Sequence, residues 1–253
     1  MGIEEKCLCG ATDYRRALKG IKFSIYACRK CGLARTYPVP RPDYAGEEGL
    51  PERDLRSEQY SRKFAMQIIR QIKKVKGAGR LLDVGSGRGM LLRVAKENGF
   101  EPLGVEISRK DSEYSRKHHG VAIVTADFLS ANLQGKFDVI VMNHFLEHIE
   151  NPAGVLKRAK ELLSKGGILF IGLPNYDGLW RRLQGEAWYP YQPTQHIWQY
   201  SPETLTAVLR LAGFTPIQIM ITSVEHSLIM QPLNILFVAL GQGDNLNVIA
   251  KAQ

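Results

Sequence analysis

The stretch LLDVGSGRG (Leu81–Gly89) is a short apolar run that leads directly into a turn with three glycines. Such a run, bounded by turn residues, is typical of a buried strand. Glycines in the turn let a ligand approach the backbone closely. The spacing is G-x-G-x-G rather than the dinucleotide pattern G-x-G-x-x-G, and the Gly-Lys-Ser/Thr of a nucleotide-triphosphate loop does not follow. The stretch therefore predicts a strand, a ligand-binding turn and a helix, but does not identify the ligand.

Apolar runs alternate with helical patterns from residue 80 onward, which is typical of a doubly wound α/β sheet. The predicted strands are 81–84, 102–106, 121–125, 137–143, 167–173, 214–222 and 247–252. The predicted helices are 90–98, 109–118, 153–164 and 202–212, with a further helix or lid within 228–240. Ligands of such sheets bind beyond the carboxyl ends of the strands, so we expect the site there.

Carboxylates stand at the ends of three of these strands. Asp83 beside the glycine turn would repel a phosphate but suits a sulfonium or ammonium group. Glu106 can accept both hydroxyls of a ribose, a device that NAD enzymes share. Asp127 can accept a hydrogen bond from an adenine amine, with the ring of Phe128 alongside. The three positions indicate an adenosine cofactor, and the glycine spacing and Asp83 make a NAD dehydrogenase the less favoured choice.

The fourth strand runs into His144-Phe-Leu-Glu147-His148, which also spells the inverted zinc-protease signature H-x-x-E-H. That signature needs a regular helix, and Pro152 follows too closely to leave room for one. We therefore interpret the candidate catalytic residues differently: His148 as a general base oriented by Glu147, with His196 as the competing base. A purely structural role for any one of these histidines stays open.

At this point four motifs, LLDVGSGRG, VEIS, ADF and FDVIVMNHFLEHIENP, resemble in order those of class I S-adenosylmethionine-dependent methyltransferases. The resemblance is to the small-molecule branch that contains ubiquinone and sugar methyltransferases. It implies a Rossmann-like seven-stranded sheet whose last strand is antiparallel, with helices on both faces. It also implies S-adenosylmethionine as cofactor. The cofactor-binding residues it implies are Asp83, Gly85, Ser86, Gly87, Gly89, Glu106, Ile107, Asp127, Phe128, Asn143 and His144.

All four cysteines lie near the N-terminus, as Cys7-x-Cys9-Gly and Cys28-x-x-Cys31-Gly. Two short cysteine pairs on facing turns can bind one Zn²⁺ tetrahedrally, and such a closed site is structural rather than catalytic. We expect a zinc ribbon with a hairpin around residues 23–26, although the one-residue gap in the first pair is unusual. Disulfides or free structural cysteines are the alternatives. The predicted organisation is a zinc ribbon at 1–36, a proline-rich linker at 37–56 and a methyltransferase domain at 57–253.

Positive charge is concentrated in residues 51–80, within a chain of net charge +9. The stretch could attract phosphate-bearing partners, nucleic acid included. We favour an amphipathic helix that turns Phe64, Ile68, Ile69 and Ile72 inward. Neither a secretory leader nor an apolar run of the ~20 residues that span a bilayer is apparent, so we expect a cytoplasmic protein.

Three tryptophans and four tyrosines fall within residues 174–200, which we interpret as an insertion on the substrate side. Their rings could stack on a sugar, quinone or base, or could simply pack the insertion onto the sheet. The expected reaction is methyl transfer to a small or carrier-linked acceptor, a nucleotide sugar, glycan or phenolic quinone precursor. The alternatives are RNA or protein methylation, or an inactive module that binds S-adenosylmethionine and a partner.

Overall fold

The computed structural model describes residues 6–41, 55–223 and 231–253, which form two sheets and the helices around them. The strands are β1 (Tyr14–Lys19), β2 (Ser24–Cys28), β3 (Ala34–Tyr37), β4 (Gly79–Val84), β5 (Phe100–Glu106), β6 (Ala122–Thr125), β7 (Phe137–Asn143), β8 (Leu163–Pro174), β9 (Trp198–Gln199), β10 (Phe214–Thr222) and β11 (Asn245–Ala252). The helices are α1 (Leu55–Lys73), α2 (Met90–Glu97), α3 (Arg109–His119), α4 (Pro152–Leu162), α5 (Leu179–Gln184), α6 (Pro202–Leu211) and α7 (Gln231–Ala239).

The larger sheet has seven strands in the order β10-β11-β8-β7-β4-β5-β6. Strands β4 to β8 pair in parallel, and β11 is antiparallel to both of its neighbours. The predicted Rossmann-like α/β class, with an antiparallel last strand, is thus confirmed. After β6 the chain crosses back to the other side of β4, so the strand order reverses between β4 and β7. A crevice forms at such a reversal.

The central strands are buried on both faces, which explains their continuous apolar runs. Leu81, Leu82 and Val84 of β4 have no solvent exposure, and neither do residues 139–142 of β7. Residues of α1 and α2 cover one face of the sheet, while α4 and α6 cover the other. The helices therefore lie on both faces, as the resemblance implied.

Side-chain caps fix where three helices begin. Ser108 accepts from the amide of Asp111 at the start of α3, and Asn151 does the same for Gly154 at the start of α4. Ser201 forms a reciprocal capping box at the start of α6. Helix α4 ends at Leu162 rather than at residue 164, because the backbone is already extended at Leu163 and β8 begins there.

Helix α1 confirms the amphipathic interpretation of the basic stretch. Ile68, Ile69 and Ile72 are buried under the sheet, Phe64 is half-buried, and Arg70 is exposed on the other side. Arg62 donates two hydrogen bonds to Glu97 of α2, at 3.1 and 2.6 Å. The positive charges of the described part of this helix thus lie mainly on its outer face.

The smaller sheet, in the order β1-β2-β3-β9, is larger than the predicted hairpin. Its fourth strand comes from the aromatic segment far along the chain, where Trp198 and Gln199 pair with Arg35 and Ala34. The amide of Thr36 donates to the carbonyl of Ile197 at 2.9 Å. Local patterns within the first 36 residues could not indicate a partner so distant in the sequence.

Parts of two predicted segments lie outside the described residues. These are 42–54, most of the predicted linker including Pro42 and Pro51, and 224–230, which contains the start of the predicted helix or lid at 228–240. The described end of the linker region is helical, since α1 begins at Leu55. Over the described ranges, none of the helices has the length and apolar character needed to cross a bilayer.

We expect Ile69→Ala to lower the free energy of unfolding by about 2–5 kcal/mol, because it leaves a cavity between α1 and the sheet. The matched control is Arg70→Ala on the exposed face, expected to change it by less than about 0.5 kcal/mol. Chemical denaturation monitored by circular dichroism measures both. Equal effects of the two substitutions would contradict the orientation of α1.

Candidate functional site

A cavity of about 1080 Å³ lies beyond the carboxyl ends of β4 and β7, where the strand order reverses. Its walls come from the glycine turn, the end of β7, helix α1 and the segment after β8. The residues that line it are Tyr60, Ser61, Phe64, Ala65, Ile68, Asp83, Gly85, Ser86, Gly87, Arg88, Gly89, Met90, Leu91, Asn143, His144, Pro174, Gln184, Ala187, Trp188, Tyr189, Pro190, Gln192, His196 and Asp244.

The glycine turn needs its glycines for two reasons. Gly85, Gly87 and Gly89 all have positive φ, between 51° and 76°, which other residues rarely adopt. A β-carbon on Gly85 would lie 2.6 Å from the ring of Phe145, whereas one on Gly87 would meet no atom within 4 Å. The turn therefore packs tightly against the residues after β7 at one glycine and leaves open space at another.

Asp83 lies at the base of this turn, almost fully buried, and lines the cavity. Burial raises its pKa well above the ordinary value, and the charge of Glu106 raises it further. Without a cationic ligand, a charge at this position is therefore costly. A ligand with a positive group near Asp83 would remove that cost.

Glu106 does not itself line the cavity, but it is attached to the turn. Its two carboxylate oxygens accept from the amides of Gly87 and Ser108, both at 2.8 Å. Burial raises its pKa, against the lowering effect of these amide bonds. The carboxylate is thereby fixed beside the middle glycine of the turn.

Three other predicted cofactor residues lie away from the cavity. Ile107 is 39% exposed, and Asp127 accepts from the amide of Leu129 at 2.8 Å. Phe128 is buried, with the guanidinium of Arg158 5.5 Å from its ring centre. The cavity thus brings the turn residues together with Asn143 and His144. The residues predicted to bind ribose and adenine, Ile107, Asp127 and Phe128, follow β5 and β6 and are not among its lining residues.

Arg88 is a buried cation within the turn. In the spacing G-x-G-x-G it occupies a variable position, so the pattern predicts no role for it. Its Nε donates to Asp111 at 3.1 Å, and its guanidinium lies 4.9 Å from the ring centre of Tyr114. Both partners belong to α3. The turn is therefore tied to the helix after β5 by a buried ion pair, as well as by the Glu106 bonds.

The residues after β7 form a compact polar cluster. His144 has a positive φ of 50°, and its amide donates to the carbonyl of Gly172 in β8 at 2.7 Å. Its Nδ1 lies 3.2 Å from an oxygen of Glu147, which is 1% exposed. Burial alone would raise the pKa of Glu147, but this bond and the neighbouring imidazoles of His148, His144 and His196 lower it to about 2. Glu147 is therefore ionised at neutral pH.

His148 and His196 meet edge to face, with ring centres 4.4 Å apart. Burial lowers the pKa of both, that of His196 to about 4, so both imidazoles are neutral at pH 7. Nδ1 of His196 lies 2.8 Å from the carbonyl oxygen of Pro190, so it carries the proton and donates it there. Of the two predicted bases, only His196 lines the cavity.

The aromatic segment mostly packs rather than lining a binding surface. Trp180, Tyr191 and Trp198 are buried, and the indole of Trp198 donates to the carbonyl of Ile149 at 2.9 Å. Trp188 and Tyr189 reach the cavity, and Tyr189 is 79% exposed. Most rings of this segment therefore pack, while stacking of the two cavity-lining rings on a ligand stays a prediction.

The four cysteines come together at the edge of the small sheet. Sγ of Cys7 lies 3.5 Å from that of Cys31, and Sγ of Cys9 lies 3.7 Å from that of Cys28. All four sulfurs lie within 4.8 Å of one another. These distances are too long for disulfides, and the cysteines are free. The glycines after the two pairs, Gly10 and Gly32, have the positive φ that tight turns require.

Sequence reasoning missed the contributions of α1 and of the C-terminal region to the cavity. Tyr60 and Phe64 form one wall, yet an apolar helix face predicts core packing and not a ligand. Gln184, the last residue of α5, and Asp244, just before β11, also line the cavity but lie in no recognisable motif. Phe145 lies in the motif FDVIVMNHFLEHIENP, but its packing against Gly85 depends on how the chain folds after β7.

Residues 56–219 match a family described as a methyltransferase domain, which is more than half of the chain. The chain belongs to this methyltransferase family. The resemblance predicted from the four motifs is thereby confirmed. The sheet order and the position of the cavity agree with it.

Among curated proteins, the chain is similar to ubiquinone biosynthesis O-methyltransferases. That of Caulobacter vibrioides is 30% identical over 149 residues, covering 51% of this chain and 56% of the relative. That of Pseudomonas aeruginosa PAO1 is 29% identical over 103 residues, covering 38% and 44%. The chain thus spans about half the length of the curated relatives it matches.

Solved structures of methyltransferases share the fold of this chain. A possible histamine N-methyltransferase from Thermotoga maritima gives a TM-score of 0.61 at 22% identity, covering 78% of this chain and 91% of that one. The magnesium protoporphyrin IX methyltransferase from Synechocystis, with S-adenosylhomocysteine bound, gives 0.58 at 14% identity, covering 81% and 90%. At these identities the likeness concerns the fold alone.

We expect Asp83→Asn to raise the free energy of unfolding of the ligand-free protein by about 0.5–2 kcal/mol. The pKa of Asp83 is raised in the folded protein, so its carboxyl ionises in the unfolded chain, from about pH 4, before it does so in the folded one. The wild type therefore loses stability as the pH rises above about 4. The advantage of the variant should therefore grow with pH. Thermal unfolding between pH 4 and 8 measures it.

Asp138→Asn is the matched control at the other end of the sheet. Asp138 accepts from Ser164 and the amide of Arg80, and its pKa is lowered by these bonds and by Lys76 despite the opposing effect of burial. This variant should be less stable than the wild type at neutral pH, with the difference shrinking in acid. If both substitutions changed the free energy of unfolding in the same direction, the raised pKa of Asp83 would be contradicted.

Proposed function

We propose that the protein transfers the methyl group of S-adenosylmethionine to a small-molecule acceptor of the phenolic or quinone-precursor type. The observation that carries the proposal is the cavity at the strand reversal, which the glycine turn, Asp83 and the imidazole of His196 all face. The similarity to ubiquinone biosynthesis O-methyltransferases supports the choice of acceptor.

The residues around the turn fit the cofactor in charge and shape. S-adenosylmethionine, when bound, supplies a sulfonium whose methyl group is electrophilic. Asp83 would lie near this positive centre, and the open space at Gly87 would admit the methionine part against the backbone. Glu106, held beside Gly87, would accept from the ribose hydroxyls. Asp127 and Phe128 remain the proposed adenine side, with Ile107 next to the ribose.

The size of the cavity leaves room for an acceptor. Ligand pockets for one drug-sized molecule are about 300–1,000 Å³, and this one has about 1080 Å³. Trp188 and Tyr189 also line the cavity and would contact a flat acceptor ring. Proximity and alignment supply most of the rate enhancement for a methyl displacement.

We propose that the acceptor is prepared for attack by the cluster that contains Glu147, His148 and His196. The acceptor oxygen must lose its proton to present a lone pair to the methyl group. Neutral imidazoles beside an ionised carboxylate suit that task at neutral pH. His148 remains the predicted base, and His196 is the member of the cluster that reaches the cavity wall.

We also propose one structural Zn²⁺ in the cysteine cluster. Tetrahedral zinc with Zn–S bonds of about 2.3 Å places sulfurs about 3.8 Å apart, close to the 3.5 and 3.7 Å seen here. Backbone groups of Cys9, Ala11 and Leu33 hydrogen-bond to the sulfurs, which stabilises thiolates. Four protein ligands leave no open position, so the ion would hold the fold.

To test the function, S-adenosylmethionine binding is measured by calorimetry and S-adenosylhomocysteine production by mass spectrometry with a panel of phenols and catechols. Glu106→Gln should weaken cofactor binding about 10–100-fold, since a charge-assisted hydrogen bond contributes about 1.5–3 kcal/mol. Glu113→Gln, on the exposed face of α3, should bind as the wild type does. Binding without turnover on any phenol would instead indicate an inactive binding module or another acceptor class.

To test the zinc site, the metal content of the purified protein is measured by mass spectrometry. Cys31→Ser should remove the zinc of this cluster and lower the melting temperature, because metal binding free energy is folding free energy. Lys30→Ser, an exposed change within the same turn, should leave zinc content and melting temperature unchanged. Full zinc content in Cys31→Ser would refute the site.

A further inference from the structure

Three potential metal ligands converge beside the cavity, away from the cysteines. Ring nitrogens of His148 and His196 and a carboxylate oxygen of Glu147 lie within 4.8 Å of one another. Two imidazoles and one carboxylate are a donor set that binds catalytic zinc and leaves a coordination position open. The three atoms come from the turn after β7 and from the segment before β9, which the fold brings together.

The surroundings of the three ligands have the arrangement that metal sites use. A ligating histidine usually donates its other ring nitrogen to a backbone carbonyl or carboxylate, which fixes the ring. His196 donates from Nδ1 to the carbonyl of Pro190, and His148 hydrogen-bonds to the backbone of Gln195. Each ring is therefore oriented by a hydrogen bond between one of its nitrogens and the backbone. The third ligand, Glu147, is oriented by the contact between one of its carboxylate oxygens and Nδ1 of His144.

The other oxygen of Glu147 is the second, independent observation. This Oε2 is buried and accepts no hydrogen bond from any of the described residues. A carboxylate oxygen in a residue that is 1% exposed is costly to bury unless it is satisfied. The buried hydroxyl of nearby Tyr200 likewise finds no partner within the described ranges. The cluster thus contains two buried polar atoms whose hydrogen-bonding capacity is unused.

We propose that Glu147, His148 and His196 together bind one divalent cation of the zinc type. Mixed imidazole and carboxylate ligands suit Zn²⁺ and its neighbours rather than Mg²⁺ or Ca²⁺, which prefer oxygen alone. This set differs from the H-x-x-E-H protease signature, since His196 replaces His144 as the second imidazole.

The catalytic meaning of the site rests on the proposed function. Because His196 lies on the cavity wall, an open position on the ion would face the acceptor. An acceptor hydroxyl bound there becomes more acidic and gives its proton to water. Its oxygen lone pair then forms the bond to the methyl carbon as the carbon–sulfur bond breaks, with that electron pair going to sulfur. In this form of the enzyme the two imidazoles are ligands, and the ion takes over the task of the base.

The test is the zinc content of the full-length protein after equilibration with micromolar zinc and removal of the free ion. The wild type should hold two zinc ions per chain, one in the cysteine cluster and one here. His148→Ala and His196→Ala should each hold one, and the matched control His118→Ala, which removes an exposed histidine of α3, should hold two. His144→Ala should weaken the second ion about 10–100-fold, since it removes only the bond that orients Glu147.

A second measurement covers the case in which a histidine variant fails to fold. Cobalt titration of the metal-free wild type should show one equivalent with thiolate charge-transfer absorption and a second equivalent without it. Only one equivalent of zinc or cobalt in the wild type, or two zinc ions in folded His148→Ala and His196→Ala, would overturn the site.

Metal content is measured without cofactor or acceptor. A protein that binds two ions but transfers no methyl group would therefore support the metal site and contradict the proposed function. A protein that transfers the methyl group but binds only one ion would support the function and contradict the metal site.

Discussion

The arrangement of the site depends on the backbone of one residue, Ile197. Its amide donates to the carbonyl of Glu147 at 2.8 Å, and its carbonyl accepts from the amide of Thr36 at 2.9 Å. The hydroxyl of Thr36 also donates to the carbonyl of His196 at 2.7 Å. The segment that carries His196 is thereby held between the N-terminal sheet and the turn after β7. Without these bonds the imidazole of His196 would not be fixed against His148 and Glu147.

The N-terminal sheet is therefore joined to the segment that carries His196 rather than being a separate appendage. Cys28 ends β2, Cys31 follows it, and β3 then carries Arg35 and Thr36 to the edge that β9 pairs with. Arg35 lies over the ring of Trp198, 5.0 Å from its centre, which secures the same junction with a side-chain contact. A short series of contacts thus connects the cysteine turns with the segment that carries His196.

The large sheet could be predicted from the sequence because its signals are local. Buried parallel strands read as apolar runs, and the glycines and carboxylates at their ends follow within a few residues, as Asp83, Gly85 and Glu106 show. Pairings between distant segments leave no such trace. Neither the strand β9 nor the meeting of His148 with His196 could be predicted, because two residues of extended backbone and a single histidine have no pattern. The wall formed by Phe64 was missed since core and ligand contacts demand the same apolar side chain.

The pairing of β3 with β9 joins residues about 160 positions apart in the chain. During synthesis the cysteine turns and β1 to β3 leave the ribosome long before residues 196–199 exist. Until then the free edge of β3 is a place where another strand could add, the hazard of an unpaired sheet edge. The small sheet would thus finish folding only when most of the chain has been made. By then, five of the seven strands of the large sheet have already been synthesised.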